Sequence, residues 1–357
     1  MEQKKNVLND VMIMRPIIIF LLVFMHSFTM FTGGGWKLPD GIHEVPLYYW
    51  LAKLSFSFML EAFVFISGYL LCFQLQNKQL RFLSFVTKKA KRLIIPSILF
   101  SALYFLLFMQ YESCLQTLYA IVNGCGHLWY LPMIFWCFVI GYVLIRLDLP
   151  EWSKLLLCLI VSCFSGFLKF LPLQMSQSCY YIFFFYLGMY SYINSDKFKA
   201  LSASKILFII LLYIISFISL TIVSKGMITI ELISIPEKLL RIFARPTFRV
   251  FYSTLGLIAF YIVVNKILAV HVSKMKSSKE YSGHFSLPLW LVWLNSISFG
   301  IYIYQQFILK ILYYYTDLPK ICGTYALPWV GFVITLMISI ILSALSLKTK
   351  FGRFLIG

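Results

Sequence analysis

The sequence predicts an all-α, polytopic membrane bundle of about ten transmembrane helices with both termini cytoplasmic, and three observations lead to it. Hydrophobic residues make up 61% of the 357 and charged residues 12%, about half the charged share of a soluble domain. The apolar residues gather in runs of about 20, the length a helix needs to cross a hydrocarbon layer of roughly 30 Å. About 21 of the 31 Lys and Arg fall in alternate connections and the two termini, the asymmetry the positive-inside rule expects.

The runs lie near 11–31, 48–74, 93–110, 127–147, 153–171, 178–194, 203–223, 247–267, 288–309 and 323–347. The first is followed by "TGGGW" rather than by a small-residue cleavage site, so it is expected to stay as a span. Between the second and third, "QNKQLRFLSFVTKKAKRLIIP" mixes cations with Leu, Phe and Val. It reads either as a topology signal lying on the membrane surface or as cations facing an anionic cytosolic ligand. Only "LKFLPLQMSQSCYY", with Pro172, separates the fifth run from the sixth. Ahead of the eighth, "RIFARPTFRVFY" spaces Arg241, Arg245 and Arg249 four apart, one stripe if helical, with Pro246 suited to a first turn. Topology does not call for three arginines on the outer side. They fit a site for an anionic or sugar-phosphate ligand, or pairing with Glu231, Glu237 or lipid headgroups.

No linker, low-complexity tract or internal repeat divides the chain, which is expected to form a single transmembrane domain over 1–357. The net charge of +18 is accounted for by topology and attraction to anionic membrane lipids rather than by nucleic acid. The eight Cys show no CxxC or Cys/His spacing, so no metal site is predicted. Cys114 and Cys125 share an outer loop in which a disulfide is conceivable.

The informative residues are polar ones in apolar surroundings. Arg15 and His26 stand eleven positions apart in "MRPIIIFLLVFMHSF", about 1100° of helix and roughly 16 Å of rise, so they share a face. Arg15 falls near the cytoplasmic edge and His26 beyond mid-membrane. Glu61, in "SFMLEAFVFISGYLL", lies near the middle of the second span. An ionisable group at that depth costs on the order of 2.5–3.5 kcal/mol, which makes each a functional candidate. On adjacent antiparallel spans, His26 and Glu61 form a plausible general base and its orienting carboxylate.

Arg15 through His26 resembles the R-x10-H signature of the acyltransferase 3 family, integral-membrane acyltransferases of surface glycans. Further stretches are similar to family landmarks in the family's order: "EAFVFISGYLL", "KKAKRLIIP", "GHLWYLPMIF" and "SISFGIYIYQQFI". They run from residue 15 to about residue 307. The resemblance implies an acyl-CoA donor reached from the cytosol, usually acetyl-CoA. It also implies a hydroxyl acceptor on a glycan or lipid-linked sugar, in the cytoplasmic (inner) membrane. Under it, Arg15, Lys89 and Arg92 hold the CoA phosphates, His26 takes the acceptor proton and Glu61 aligns it. His127 offers a polar contact to the acceptor, and Trp129 offers a stacking face or an interfacial anchor; Arg245 and Arg249 fall to the acceptor as well. Val64 replaces a motif phenylalanine, and Gln305 stands where many members have histidine. Gln305 is therefore expected to hydrogen-bond the sugar rather than to act as a second base. Ser67, beside Gly68, reads as a packing residue rather than a nucleophile. The rival reading is a transporter or flippase of lipid-linked sugars, but the chain lacks the matched pair of interrupted spans usual in such carriers.

Overall fold

The computed structural model describes residues 2–33, 35–77, 81–111, 113–195, 202–224, 240–276 and 288–357, with side chains except at 2–8, 224, 240–241 and 269–276. Every regular element among them is helical. Twelve helices follow in order: α1 (Glu2–Ser27), α2 (Pro46–Asn77), α3 (Phe82–Phe108), α4 (Cys114–Asn123), α5 (Tyr130–Arg146), α6 (Glu151–Cys163), α7 (Met175–Ile193), α8 (Ala203–Ser224), α9 (Arg245–Lys276), α10 (Leu289–Tyr314), α11 (Leu318–Lys348) and α12 (Lys350–Ile356). Seven are long and apolar enough to cross a membrane: α1, α2, α3, α5 with the 3-10 turn before it, α8, α9 and α11. The 13 residues of α6 give about 20 Å of helix, short of a roughly 30 Å core. In α10, Asn295, Gln305, Gln306 and Lys310 interrupt the apolar run.

The described part of the connection 75–92 is mostly helix, divided between the end of α2 and the start of α3. Pro96 lies inside α3. The expected fifth run, 153–171, becomes α6 and a 3-10 turn, Ser165–Leu168. Cys114 is exposed, Cys125 is buried, and both are free thiols, so the conceivable disulfide is not formed. Glu231 and Glu237 lie outside the described residues, as does the side chain of Arg241.

The chain divides into two compact units: residues 1–14, 60–87 and 133–287 form the first, and 15–59, 88–132 and 288–357 the second. In the first, α7 is buried along most of its length, including Tyr180, Tyr181, Phe184, Phe185 and Tyr186. Glycines explain how closely α2 and α7 approach. A Cβ at Gly68 would run into the Phe185 carbonyl, and one at Gly188 into the Phe65 carbonyl. Small residues permit this backbone contact where lipid offers no hydrophobic drive to pack helices. Ser67 spends its hydroxyl on the Phe63 carbonyl of its own helix at 3.0 Å. Lys154, 3% exposed, pairs with Glu151 at 3.0 Å, and Tyr186 donates to the same carboxylate.

In the second unit α10 packs along α11. Phe28, Tyr48, Leu309, Tyr313 and Leu327 form a buried cluster just beyond the end of α1. Three hydrogen bonds fasten it: Tyr313 to the Ser27 carbonyl (2.9 Å), Tyr48 to the Tyr325 carbonyl (2.8 Å) and Trp329 to the Tyr48 hydroxyl (3.2 Å). They fix the chain immediately after His26.

Gly68→Val should therefore lower stability by about 3 kcal/mol, at the upper end of overpacking costs, read as a reduced Tm in detergent. Ser67→Ala, which removes one local hydrogen bond, should cost no more than about 1 kcal/mol.

Candidate functional site

In the second unit two buried imidazoles lie side by side, His26 at 9% and His127 at 5% exposure, with ring centroids 6.3 Å apart. His26 is the penultimate residue of α1; His127 belongs to the 3-10 turn Gly126–Trp129. Gly124 (φ 90°), two residues before the turn, and Gly126 (φ 57°), its first residue, take positive φ angles that glycine allows. A Cβ on Gly126 would crowd the Tyr104 ring and the Gln306 amide.

Consecutive glutamines of α10 hold the two rings. Gln305 Oε1 lies 2.9 Å from His26 Nδ1. Gln306 Oε1 accepts the His127 backbone N–H at 3.0 Å and lies 3.0 Å from His127 Nδ1. Tyr302 donates to the His127 carbonyl at 2.6 Å.

These contacts set proton positions. The Ile303 carbonyl, 3.1 Å from His127 Nε2, can only accept. The backbone N–H fixes Gln306 Oε1 as an acceptor too, so both ring nitrogens of His127 face oxygen. An imidazolium satisfies both contacts, whereas a neutral ring sets a lone pair against one of them. At His26, Oε1 of Gln305 makes Nδ1 the donor and leaves the lone pair on Nε2, which has no protein hydrogen bond among the described residues. The Gln305 amide nitrogen is buried without a hydrogen-bond partner. A buried donor left unmade costs about 1–3 kcal/mol unless a ligand takes it.

The orienting group on His26 is thus Gln305, where Glu61 was expected. Glu61 belongs to the first unit, fully buried, with Oε1 3.1 Å from Arg249 Nη2 and 3.3 Å from the Tyr180 hydroxyl. Arg249 also donates to the Tyr181 hydroxyl at 3.5 Å and stands over the Tyr180 ring at 5.4 Å. A carboxylate at that depth takes the strongest counter-charge within reach, and a guanidinium supplies both charge and directed N–H groups. Two residues assigned to separate tasks from sequence are each other's partners. Arg245, exposed, lines a cavity with Arg249.

The other cations expected at the donor do gather. In the second unit Arg15 is half-buried and within electrostatic reach of Arg92 and of the Tyr130 hydroxyl; Lys89 is within reach of Arg92. Trp129 is half-buried, its ring 6.4 Å from that of Tyr130. Sequence reasoning passed over Gln306 and Lys169. The signal for the first was available: two adjacent amides in an apolar helix. Among the described residues no group of three or more His, Cys, Asp or Glu gathers to hold a metal.

Glu61→Gln leaves Arg249, 28% exposed, without its counter-charge, and should destabilise the fold by about 1.5–3 kcal/mol, the worth of a charge-assisted hydrogen bond. Thermal unfolding in detergent checks this. If Glu61 is a structural partner, the surviving folded fraction keeps its affinity for acyl-CoA.

Comparison with curated proteins and with solved structures finds no match. A family model described as an acyltransferase domain matches residues 8–348, nearly the whole chain, and the protein therefore belongs to the acyltransferase 3 family of membrane acyltransferases.

Proposed function

We propose that this membrane acyltransferase moves an acetyl group from acetyl-CoA to a hydroxyl of a surface polysaccharide or a lipid-linked sugar, in the cytoplasmic membrane, with His26 as general base. The observation that carries the reading is the buried pairing of His26 with Gln305, which leaves Nε2 with its lone pair and the Gln305 amide with an unspent donor.

Each part of the reaction then has a residue. Arg15, Lys89 and Arg92 hold the donor phosphates, where guanidinium groups give bidentate contacts. His26 Nε2 takes the proton as the acceptor oxygen attacks the thioester carbon. Negative charge grows on the former carbonyl oxygen, and the Gln305 N–H is a pre-placed donor for it. His127, held by Gln306 and the Ile303 carbonyl, keeps its ring packed beside His26. When the tetrahedral species collapses, the C–S bond breaks and the thiolate recovers the proton from His26. Trp129 offers the acceptor sugar a stacking face. Gln305 takes on orientation and oxyanion binding in place of the sugar contact expected from sequence, and needs no second base.

In a detergent assay of acetyl-CoA binding and turnover, His26→Ala should lose about 10²–10⁴-fold in kcat with donor binding intact, the usual contribution of general base catalysis. Arg15→Ala should raise the donor Kd roughly 10-fold or more, as loss of a charge-assisted contact does, with kcat nearly unchanged. Absence of acyl-CoA binding to folded wild type would sink the reading.

Gln305→Leu should lower kcat about 10²–10³-fold, the loss seen for a missing oxyanion donor. Retention of full turnover by this variant would remove Gln305 from the mechanism while leaving His26 untouched.

A further inference from the structure

We infer that the first unit carries a binding site for the phosphate ester of a lipid. The site is a cavity of about 270 Å³ bounded by the turn after α6, the first turn of α7 and the first turn of α9. Lys169, Arg245 and Arg249 line it, together with Ser176, Gln177 and Tyr181. Arg249 is neutralised by Glu61, and among the described residues no carboxylate lines the cavity. The wall thus keeps a net positive charge from Lys169 and Arg245. Cations drawn from two separate connections repel one another at such separations, and an anion among them reverses the sign of that interaction.

The remaining polar groups suit a phosphate. Ser176 and Gln177 belong to the first turn of α7, whose N-cap residue, Gln174, makes no side-chain cap. First-turn N–H groups of a 19-residue helix point outward without intrahelical partners and carry the positive end of its dipole. The hydroxyl of Ser176 and the amide of Gln177 add side-chain donors. The walls are also held in place. A Cβ on Gly166 would collide with the Ile242 carbonyl, so the turn after α6 sits directly on the π-turn Leu240–Ala244 that leads into α9. Arg249 is anchored by Glu61 and the Tyr181 hydroxyl.

Size and surroundings narrow the ligand. The volume falls just under the roughly 300–1,000 Å³ of drug-sized sites, enough for a phosphate and the first group attached to it. The same two connections carry exposed aromatic side chains, Phe164, Phe167 and Phe170 on one and Phe243 and Phe248 on the other, between 39% and 76% exposed, and Phe164 packs on Phe243 with ring centroids 5.0 Å apart. A cationic cavity on connections that also carry exposed aromatic side chains fits an anionic head on a hydrocarbon chain. The site is built from the first unit alone and does not rest on the assignment of His26.

The test is binding of dodecyl phosphate to the full chain in neutral detergent, with dodecanol as the uncharged control. Wild type should bind the phosphate and not the alcohol, and K169Q/R245Q, two exposed changes, should raise Kd at least about 10-fold. Gln177→Glu, which keeps every cation and adds a carboxylate, should weaken binding to a similar extent. Displacement of dodecyl phosphate by phosphatidylglycerol identifies the ligand as bulk phospholipid; resistance to it, with displacement by a lipid-linked sugar phosphate, identifies an acceptor lipid. Equal binding of phosphate and alcohol, or unchanged affinity in both variants, overturns the proposal. The readout needs no turnover, so failure here is separable from failure of the acyl-transfer mechanism.

Discussion

Gln305 and Gln306 point about 100° apart around α10, and each, being buried, must spend its amide on a neighbour rather than on water. Gln305 spends its oxygen on His26 and Gln306 on His127. One rigid helix thereby sets the distance between two imidazoles that arrive on different elements. It also sets their proton inventories, because the oxygens around each ring decide which nitrogen must carry hydrogen. The cluster after Ser27 and the glycine-rich turn around His127 serve this arrangement by delivering each ring to its amide. An amide is a mild partner for a base: it fixes a tautomer without adding the charge a carboxylate would bring. A negative group on Nδ1 would favour the protonated ring, and Gln305 leaves His26 without that bias.

Much of this was legible in the amino-acid sequence. Apolar runs gave the helices, and the spacing of Arg15 and His26 gave two polar groups on one face. The gathering of Arg15, Lys89 and Arg92 also follows from depth, since all three fall toward the same end of α1 and α3. Partner choice was not legible. Hydropathy reports how deep Glu61 lies along α2 but not how that helix is rotated or which neighbour it touches. The sequence therefore offered His26 as its partner as readily as Arg249. The stripe of Arg245 and Arg249 concealed a similar division: one cation is spent on Glu61 inside the protein, and the other faces a cavity. The α6 boundary was missed because the pair Ser165 and Gly166 lies inside an otherwise apolar run, where a glycine is also tolerated within a helix.

Ionisable groups in an apolar bundle are tolerated by pairing, by hydrogen bonding to backbone, or by facing a polar ligand. Glu61 with Arg249, and Lys154 with Glu151, illustrate the first. His127 over the Ile303 carbonyl illustrates the second. The unspent Gln305 amide and the exposed pair Lys169 and Arg245 belong to the third, and they lie in different units. The proposed acyl-transfer residues and the proposed phosphate site thus draw on separate sets of side chains.

The contact between α2 and α7 has a mechanical meaning. Phe185 seats its carbonyl over Gly68, and Phe65 seats its carbonyl over Gly188, so each backbone rests in a notch of the other. Sliding one helix by a single residue, about 1.5 Å, would bring a side chain into the notch in place of the missing one. The pair behaves as a pinned joint, able to pivot slightly but not to shear. Seven residues before Gly68 lies Glu61, and eight before Gly188 lies Tyr180, so the joint holds the buried carboxylate and its phenol in register. Any movement this unit makes on taking a ligand must be absorbed in the turns around the cavity and not along these two helices.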